Sequence, residues 1–454
     1  MKRLLTTILI LGGIIAVAGP AFAKKPAGAL ISSAKIEIVS GDLARYKEAE
    51  ALLKEAFEDY GPIAEGLFLL NQMQVDYMER TADLGEKRNY ALAMVAYRDS
   101  LHMCCENKDI KKKFREDCDE FIKKADSTAV RYWREFFNVG VGQLDQLNKA
   151  TRARAEATDS VNIAFYDTQI AALTDSTIRN LEIATIFDPN DYRPYVGISQ
   201  AYESQDMYDS ANVYLEKGLP YTEDKGNLLL PLAYNYINGG DYCKAIPSLR
   251  EYMALFPTDT SNLVNLAICY NRCEQYDSAR MTYREVLALD ACNEDALLSI
   301  GHYFNQLARE ANDSATVYRD AQSSAKATEW MNRRTTILDS SLVYFETAYT
   351  CDSTDQDAVE NFGLIAFVQG KYETAIRAYS QLTTIDPSNK DAWLTLGDAH
   401  LQLRQFGPAI PAYEKVIELD PNNREIVERL VELHKEEKHP KEAARYQSML
   451  DNMK

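Results

Sequence analysis

The 454-residue chain holds 68 Asp and Glu against 50 Lys and Arg, a formal net charge of −18. Such a balance argues against a nucleic-acid backbone as partner and favours solubility and basic or neutral partners; a solvated acidic surface without any partner fits the charge equally well. Length alone suggests about three domains, a count overridden by the repeats described below.

Residues 1–23 read as a bacterial export signal. Lys2 and Arg3 supply the positive start, Leu4 to Ala18 the apolar run, and Ala21-Phe22-Ala23 a small-x-small cleavage site, so the mature chain is expected to begin at Lys24. The run is short for a membrane span, and no cysteine follows it to carry a lipid. A periplasmic or secreted protein is expected, with no stable membrane span after cleavage; an uncleaved anchor is the alternative. Residues 24–40, with Pro26, Gly28 and paired serines, read as a linker. Residues 41–128 read as divergent helical repeats: Tyr46, Ala49, Leu53 and Ala56 set a spacing that Tyr90, Ala93 and Tyr97 repeat. Asn107 to Lys124 reads as a charged helix outside that pattern.

Residues 129–191 and 294–355 form two long units that match each other. Leu173-Thr174-Asp175-Ser176 corresponds to Ile337-Leu338-Asp339-Ser340, and Gly142-Gln143-Leu144 to Asn305-Gln306-Leu307. Their inserts, residues 145–172 and 308–336, contain no Gly or Pro. They are expected to lengthen both helices of a pair into an arm, with a disordered polar insert as the competing reading. Lys149, Arg152 and Arg154 make the first arm locally basic.

The beat is regular between these units and after them. Ala211, Ala245 and Ala279 are 34 residues apart (245−211 and 279−245), and after a longer step to Ser341 the spacing returns at Ala375, Ala409 and Ala443. An aromatic stands three residues before five of these alanines, at Tyr208, Tyr242, Tyr276, Tyr372 and Phe406. Bulky residues stand four after: Leu215, Leu249, Tyr283, Phe345, Tyr379 and Tyr413. A fixed period of this kind marks stacked supersecondary units. Residues 192–293 hold three regular units, and residues 356–454 two more and capping helices. The clearest copy runs Trp393-x2-Leu396-Gly397-x2-His400, then Ala409-x3-Tyr413, then Pro421. It resembles the tetratricopeptide repeat, a helix–turn–helix unit with that order of residues. The resemblance implies an all-α, right-handed superhelical solenoid of about ten helix pairs, two of them with elongated helical arms.

No catalytic constellation is visible: the chain has no Gly-x-Ser-x-Gly elbow, no phosphate-cradling glycine loop and no His-Glu-x2-His pair. No metal or cofactor is expected, and the chain reads as non-enzymatic. Eight cysteines in an exported chain suggest disulfides. Cys243 opens a second helix and Cys273 closes the next first helix, so stacking brings both to one edge. The same neighbour logic pairs Cys292 with Cys351, and either Cys104 or Cys105 with Cys118; buried free thiols are the alternative.

What remains is shape. In a solenoid the first helix of each pair lines the inner wall. Counted from the best copy, the inward positions are Gln200, Glu203, Tyr234, Asn238, Asn271, Arg272, His302 and Asn305. Such a wall suits the hydrogen-bonding groups of an extended peptide, with Tyr and Arg as anchors; plain exposed polar positions read the same residues. The carboxylate clamp of chaperone-binding relatives is absent, since Val196, Gln200, Leu230 and Tyr234 occupy its places. The expected function is an exported scaffold binding a protein or peptide partner. The alternatives are a structural, self-assembling envelope protein and, further off, the substrate platform of an enzyme.

Overall fold

The structure, a computed structural model, describes residues 24–453; the expected export signal at 1–23 lies outside the described residues. The chain folds as two compact units that meet in sequence at Glu223 and Asp224. The N-terminal unit contains α1 (Ala27–Val39), α2 (Leu43–Tyr60), α3 (Ala64–Arg80), α4 (Leu84–Glu106), α5 (Cys118–Glu156), α6 (Ser160–Phe187), α7 (Arg193–Glu203) and α8 (Tyr208–Gly218). The C-terminal unit contains α9 (Gly226–Asn238), α10 (Tyr242–Leu255), α11 (Thr260–Arg272), α12 (Tyr276–Leu289), α13 (Glu294–Asp320) and α14 (Ser324–Cys351). It continues through α15 (Gln356–Val368), α16 (Tyr372–Ile385), α17 (Lys390–Gln402), α18 (Phe406–Leu419), α19 (Arg424–Glu436) and α20 (Pro440–Asn452). Consecutive helices pair as hairpins, and among the described residues no strand occurs.

Local chemistry sets where each helix begins. The side chains of Asp259, Asn293, Asp355, Asn389 and Asn423 accept the backbone N–H three residues on, capping α11, α13, α15, α17 and α19. Within a pair the chain reverses through a residue of positive φ: Asp206, Gly240, Glu274, Gly370, Arg404 and Lys438. Each lies five residues before a beat alanine. Only two are glycine, so the other four adopt a left-handed backbone against their own preference.

Packing explains the rest of the period. Every beat residue from Ala211 to Ala443, Ser341 included, is buried. Ser341 satisfies its hydroxyl by donating to Gly301 O at 2.9 Å. In three units the bulky residue four positions on, Phe345, Tyr379 or Tyr413, fills a slot left by a glycine of the partner helix. A Cβ added at Gly397 would stand 2.7 Å from the Tyr413 ring, and one at Gly301 2.7 Å from Phe345. In the first long unit Leu181 fills the same slot beside Gly140. Thr177, buried 34 residues before Ala211 (211−177), holds the beat position there.

Both long units extend their helices as arms. α5 and α6 run for 39 and 28 residues, and α13 and α14 for 27 and 28. Leu147, Ala150 and Ile170 line the first arm; Ala311 and Ala315 line the second, where small side chains let the helices approach. Lys149 pairs with Asp145 at 2.6 Å and Arg154 with Asp167 at 2.9 Å. The expected basic character of the first arm is thus largely neutralised.

Four expectations require correction. The segment read as a linker, 24–40, is mostly α1, which buries Leu30, Ile31 and Ala34 with Tyr46, Ala49 and Leu53 of α2. Pro26 merely precedes that helix. In α4 the beat does not fall on Ala93: Ala91, Met94, Leu101 and Cys104 are the buried positions, while Tyr90 stacks on Tyr77 with centroids 5.4 Å apart. Residues 107–117 are not helical apart from a single 3-10 turn at Lys112–Phe114. α5 begins at Cys118, eleven residues before the boundary expected at 129 (129−118).

Candidate functional site

Side-chain hydrogen bonds join successive first helices of the C-terminal unit at two places, α9 to α11 and α17 to α19. The Tyr234 hydroxyl of α9 donates to Asn262 Oδ1 of α11 at 2.8 Å and accepts from Asn265 Nδ2 at 3.3 Å. Asn262 in turn donates to Asp259 Oδ2 at 2.9 Å, which also accepts the Tyr252 hydroxyl at 3.0 Å. Burial acts to raise the Asp259 pKa, and the hydrogen bonds from Asn262 and Tyr252 outweigh it, so the carboxyl titrates below its ordinary value. Tyr234 is therefore both an exposed side chain of α9 and a tie to the cap of α11. Further along, Arg429 of α19 bonds Asp398 of α17.

The other expected residues divide between the two units. Gln200 and Glu203 lie on α7 in the N-terminal unit, where the Ser199 hydroxyl donates to Glu203 Oε1 at 2.7 Å. In the C-terminal unit Asn238 and Arg272 are exposed at the ends of α9 and α11, and Asn271 and Asn305 are half-buried. The Arg272 guanidinium sits 5.7 Å from the Tyr242 ring and forms no ion pair with a described carboxylate. His302 keeps an exposed edge while its ring lies edge-on to Phe345 at 5.2 Å. Desolvation holds its pKa below the usual histidine value, with Asp357 of α15 pulling the other way.

Residues that sequence reasoning did not select complete this side. On α15, Asp357, Glu360, Leu364 and Val368 recur at helical spacing, and all four are exposed; Leu364 is 39% and Val368 43% accessible. Leu364 follows Gly363 as His302 follows Gly301 and Asp398 follows Gly397. After Gly301 and Gly363 the next residue is exposed and after Gly397 half-buried, whereas Ile198 after Gly197 is buried. On α19, Glu432 and Glu436 are exposed as well. The side changes from amides and one arginine on α9 and α11 to carboxylates around an apolar strip on α15.

Six cysteines come together in pairs. Cα–Cα distances are 5.6 Å for Cys243–Cys273, 5.7 Å for Cys292–Cys351 and 5.7 Å for Cys105–Cys118, each pair a disulfide. Cys104 turns inward, its thiol 3.5 Å from Pro62 O, and Cys269 is buried with a pKa pushed up by desolvation to about 11. Among the described residues no group of three His, Cys, Asp or Glu side chains is placed to hold a metal. None of the described helices is long and apolar enough to cross a membrane.

The family model described as a tetratricopeptide repeat matches residues 361–424. Together with the helix pairs, glycine slots and beat positions, it defines the class of the fold: the chain carries tetratricopeptide repeats. A curated relative, the TPR repeat-containing protein YpiA of Bacillus subtilis (strain 168), is 23% identical over 221 residues, 49% of this chain and 46% of that protein. The chain thus spans about half the length of that relative. Among solved structures, the C-terminal part of a TPR repeat-containing protein from Cytophaga hutchinsonii is 14% identical, covering 56% of this chain and 93% of that one, with a TM-score of 0.40. A tetratricopeptide repeat protein from Parabacteroides merdae ATCC 43184 is 15% identical, covering 58% and 93%, with a TM-score of 0.32.

Proposed function

We propose that the chain is an exported, non-enzymatic scaffold that holds a segment of a partner protein along the first helices of its C-terminal unit. The observation that carries this reading is the exposed apolar strip of Leu364 and Val368, flanked by Asp357 and Glu360. Packing positions on the same helix, Val359, Phe362 and Ile365, are buried. An apolar strip with a charged rim suits an extended segment carrying apolar residues next to Lys or Arg. Three disulfides and the apolar run before Lys24 support export to an oxidising compartment, periplasmic or extracellular. A second reading, self-association, draws on Val161 and Phe165, both exposed near the turn of the first arm.

The test is a peptide library panned against the chain, followed by affinity measurement on the selected peptides. Leu364→Asp/Val368→Asp is expected to weaken binding by about 2 kcal/mol or more with unfolding unchanged, because neither side chain is a core residue. Arg272→Ala should lower affinity for peptides that reach α11 without altering stability. Tyr234→Ala should cost about 1 kcal/mol of stability as well, since Asn262 and Asn265 lose a partner. Full affinity in the Leu364/Val368 variant would remove this wall as the binding surface.

A further inference from the structure

We infer that the cleft at the base of the second arm is a subsite for a cationic side chain, Arg or Lys, of the bound partner segment. Its shape follows from one exceptional helix. The other first helices of the C-terminal unit, α9, α11, α15, α17 and α19, stop after 13 residues. α13 runs for 27, so helix continues past its thirteenth residue, Gln306 (294+12). Leu307 and Glu310 thus stand beyond the level at which α11 has already given way to the turn at Glu274. Between that turn, the start of α12 and this stretch of α13 lies a cleft of about 450 Å3, lined among others by Glu274, Tyr276, Asp277, Tyr303, Gln306 and Glu310. Clefts that take a small ligand measure about 300–1,000 Å3.

Three carboxylates line the cleft, and no Lys, Arg or His does. One of the three is answered from α12. Arg280 Nη2 lies 3.5 Å from Asp277 Oδ1, with the guanidinium 5.6 Å from the Tyr303 ring. Tyr303 in turn donates its hydroxyl to Asp277 Oδ1 at 3.2 Å. The chain's own arginine therefore displays the contact on offer, a cation between a tyrosine ring and a carboxylate. The rest of the cleft repeats those groups without the cation. Tyr276 is 41% exposed, and no described ring or cation covers it. Glu274 and Glu310 form no ion pair with a described cation; Glu310 accepts the Gln306 amide at 3.2 Å. The arginines next to them in sequence point to other partners. Arg272 lies 5.7 Å from the Tyr242 ring, and Arg309 sits on the adjacent face of α13, where its charge acts on His302.

Position selects a protein segment as the source of the cation. Glu274 comes two residues after Arg272, and Gln306 directly after Asn305, both expected on the inner wall. A segment lying along α11 and α13 passes the mouth of the cleft, and a long side chain reaches into it. The inference rests on the partner-segment reading for the source of the cation; the chemistry of the cleft stands apart from it.

The experiment titrates the full chain with two blocked tripeptides, acetyl-Gly-Arg-Gly-amide and its neutral citrulline counterpart, by saturation-transfer NMR. The arginine peptide should bind about tenfold tighter or more, the effect of a charge-assisted hydrogen bond. That ratio should fall towards one in E274Q/E310Q and survive in E285Q/E373Q, which removes two exposed carboxylates outside the cleft. The second variant separates the cleft from the general attraction of a chain of net charge −18. L364D/V368D should leave the ratio unchanged, so a wrong assignment of the apolar strip is told apart from a wrong assignment of the cleft. Peptides panned on the natural chain should also carry Arg or Lys at one fixed position, a preference lost on E274Q/E310Q. Equal binding of the two tripeptides to the natural chain would overturn the inference, as would a ratio that E274Q/E310Q leaves unmoved. Panned peptides without that fixed position would overturn it too, and would assign the cleft to a small free amine.

Discussion

Tyr413→Ala is expected to lower stability by about 3–5 kcal/mol, the cost of deleting a large, fully buried side chain. The ring has no exposed surface and fills the slot beside Gly397, so its removal leaves a cavity between α17 and α18. Its hydroxyl donates to Asp398 Oδ1 at 2.6 Å and accepts from Arg429 Nη1 at 3.3 Å. Truncation therefore also loosens the tie to α19. Tyr413→Phe should cost about 1 kcal/mol, because Asp398 keeps Arg429. Filling the slot from the other side, Gly397→Val should cost about 1–3 kcal/mol by overpacking. Urea unfolding measures the three, and hydrogen exchange should place the loss in α17 to α20, since repeats contact mainly their neighbours. A cost below about 1 kcal/mol for Tyr413→Ala would mean that the ring and glycine do not interlock.

Reducing the Cys292–Cys351 bridge is the second large effect. It closes a segment of 59 residues containing the whole second arm. On the loop-entropy account, opening it releases about 4 kcal/mol of constraint on the unfolded chain. Cys292→Ser/Cys351→Ser should show that loss under oxidising conditions, and the natural chain should show it on adding reductant. Cys269 and Cys104 should resist alkylation in the folded protein, because both thiols are buried and titrate above their ordinary value. An unfolding midpoint unmoved by reduction, in protein whose peptide map shows the bridge, would contradict this assignment of its strength.

Much of this architecture is written in the sequence, and the unread parts have physical reasons. The beat from Ala211 to Ala443 is legible because close helix contact demands a small residue at one place in every pair. The arms are legible because inserts lacking Gly and Pro have nothing to end a helix. The left-handed turn is not: Gly240 and Gly370 reveal it, but Asp206, Glu274, Arg404 and Lys438 carry no mark of their backbone. α1 was hidden because Pro26, Gly28 and the serines suggest loop, whereas Leu30, Ile31 and Ala34 carry the helical spacing. For the third bridge, one residue separates the two readings. The structure gives Cys118 to Cys105, while Cys104 faces Pro62. The sequence does not mark Tyr234 as the partner of Asn262, since that contact joins residues 28 apart on different helices. Leu364 and Val368 escaped because a search for hydrogen-bonding positions passes over aliphatic ones.

The central claim is that the first helices of the C-terminal unit hold a partner segment, and in-cell photocrosslinking tests it most directly. A benzophenone side chain replaces Leu364 on α15 or, as control, Thr384 on the exposed side of α16. The account predicts a discrete crosslinked protein from position 364 that disappears with Val368→Asp, and none from 384. Crosslinks from position 384 with none from 364 would contradict it and place the binding surface on the second helices.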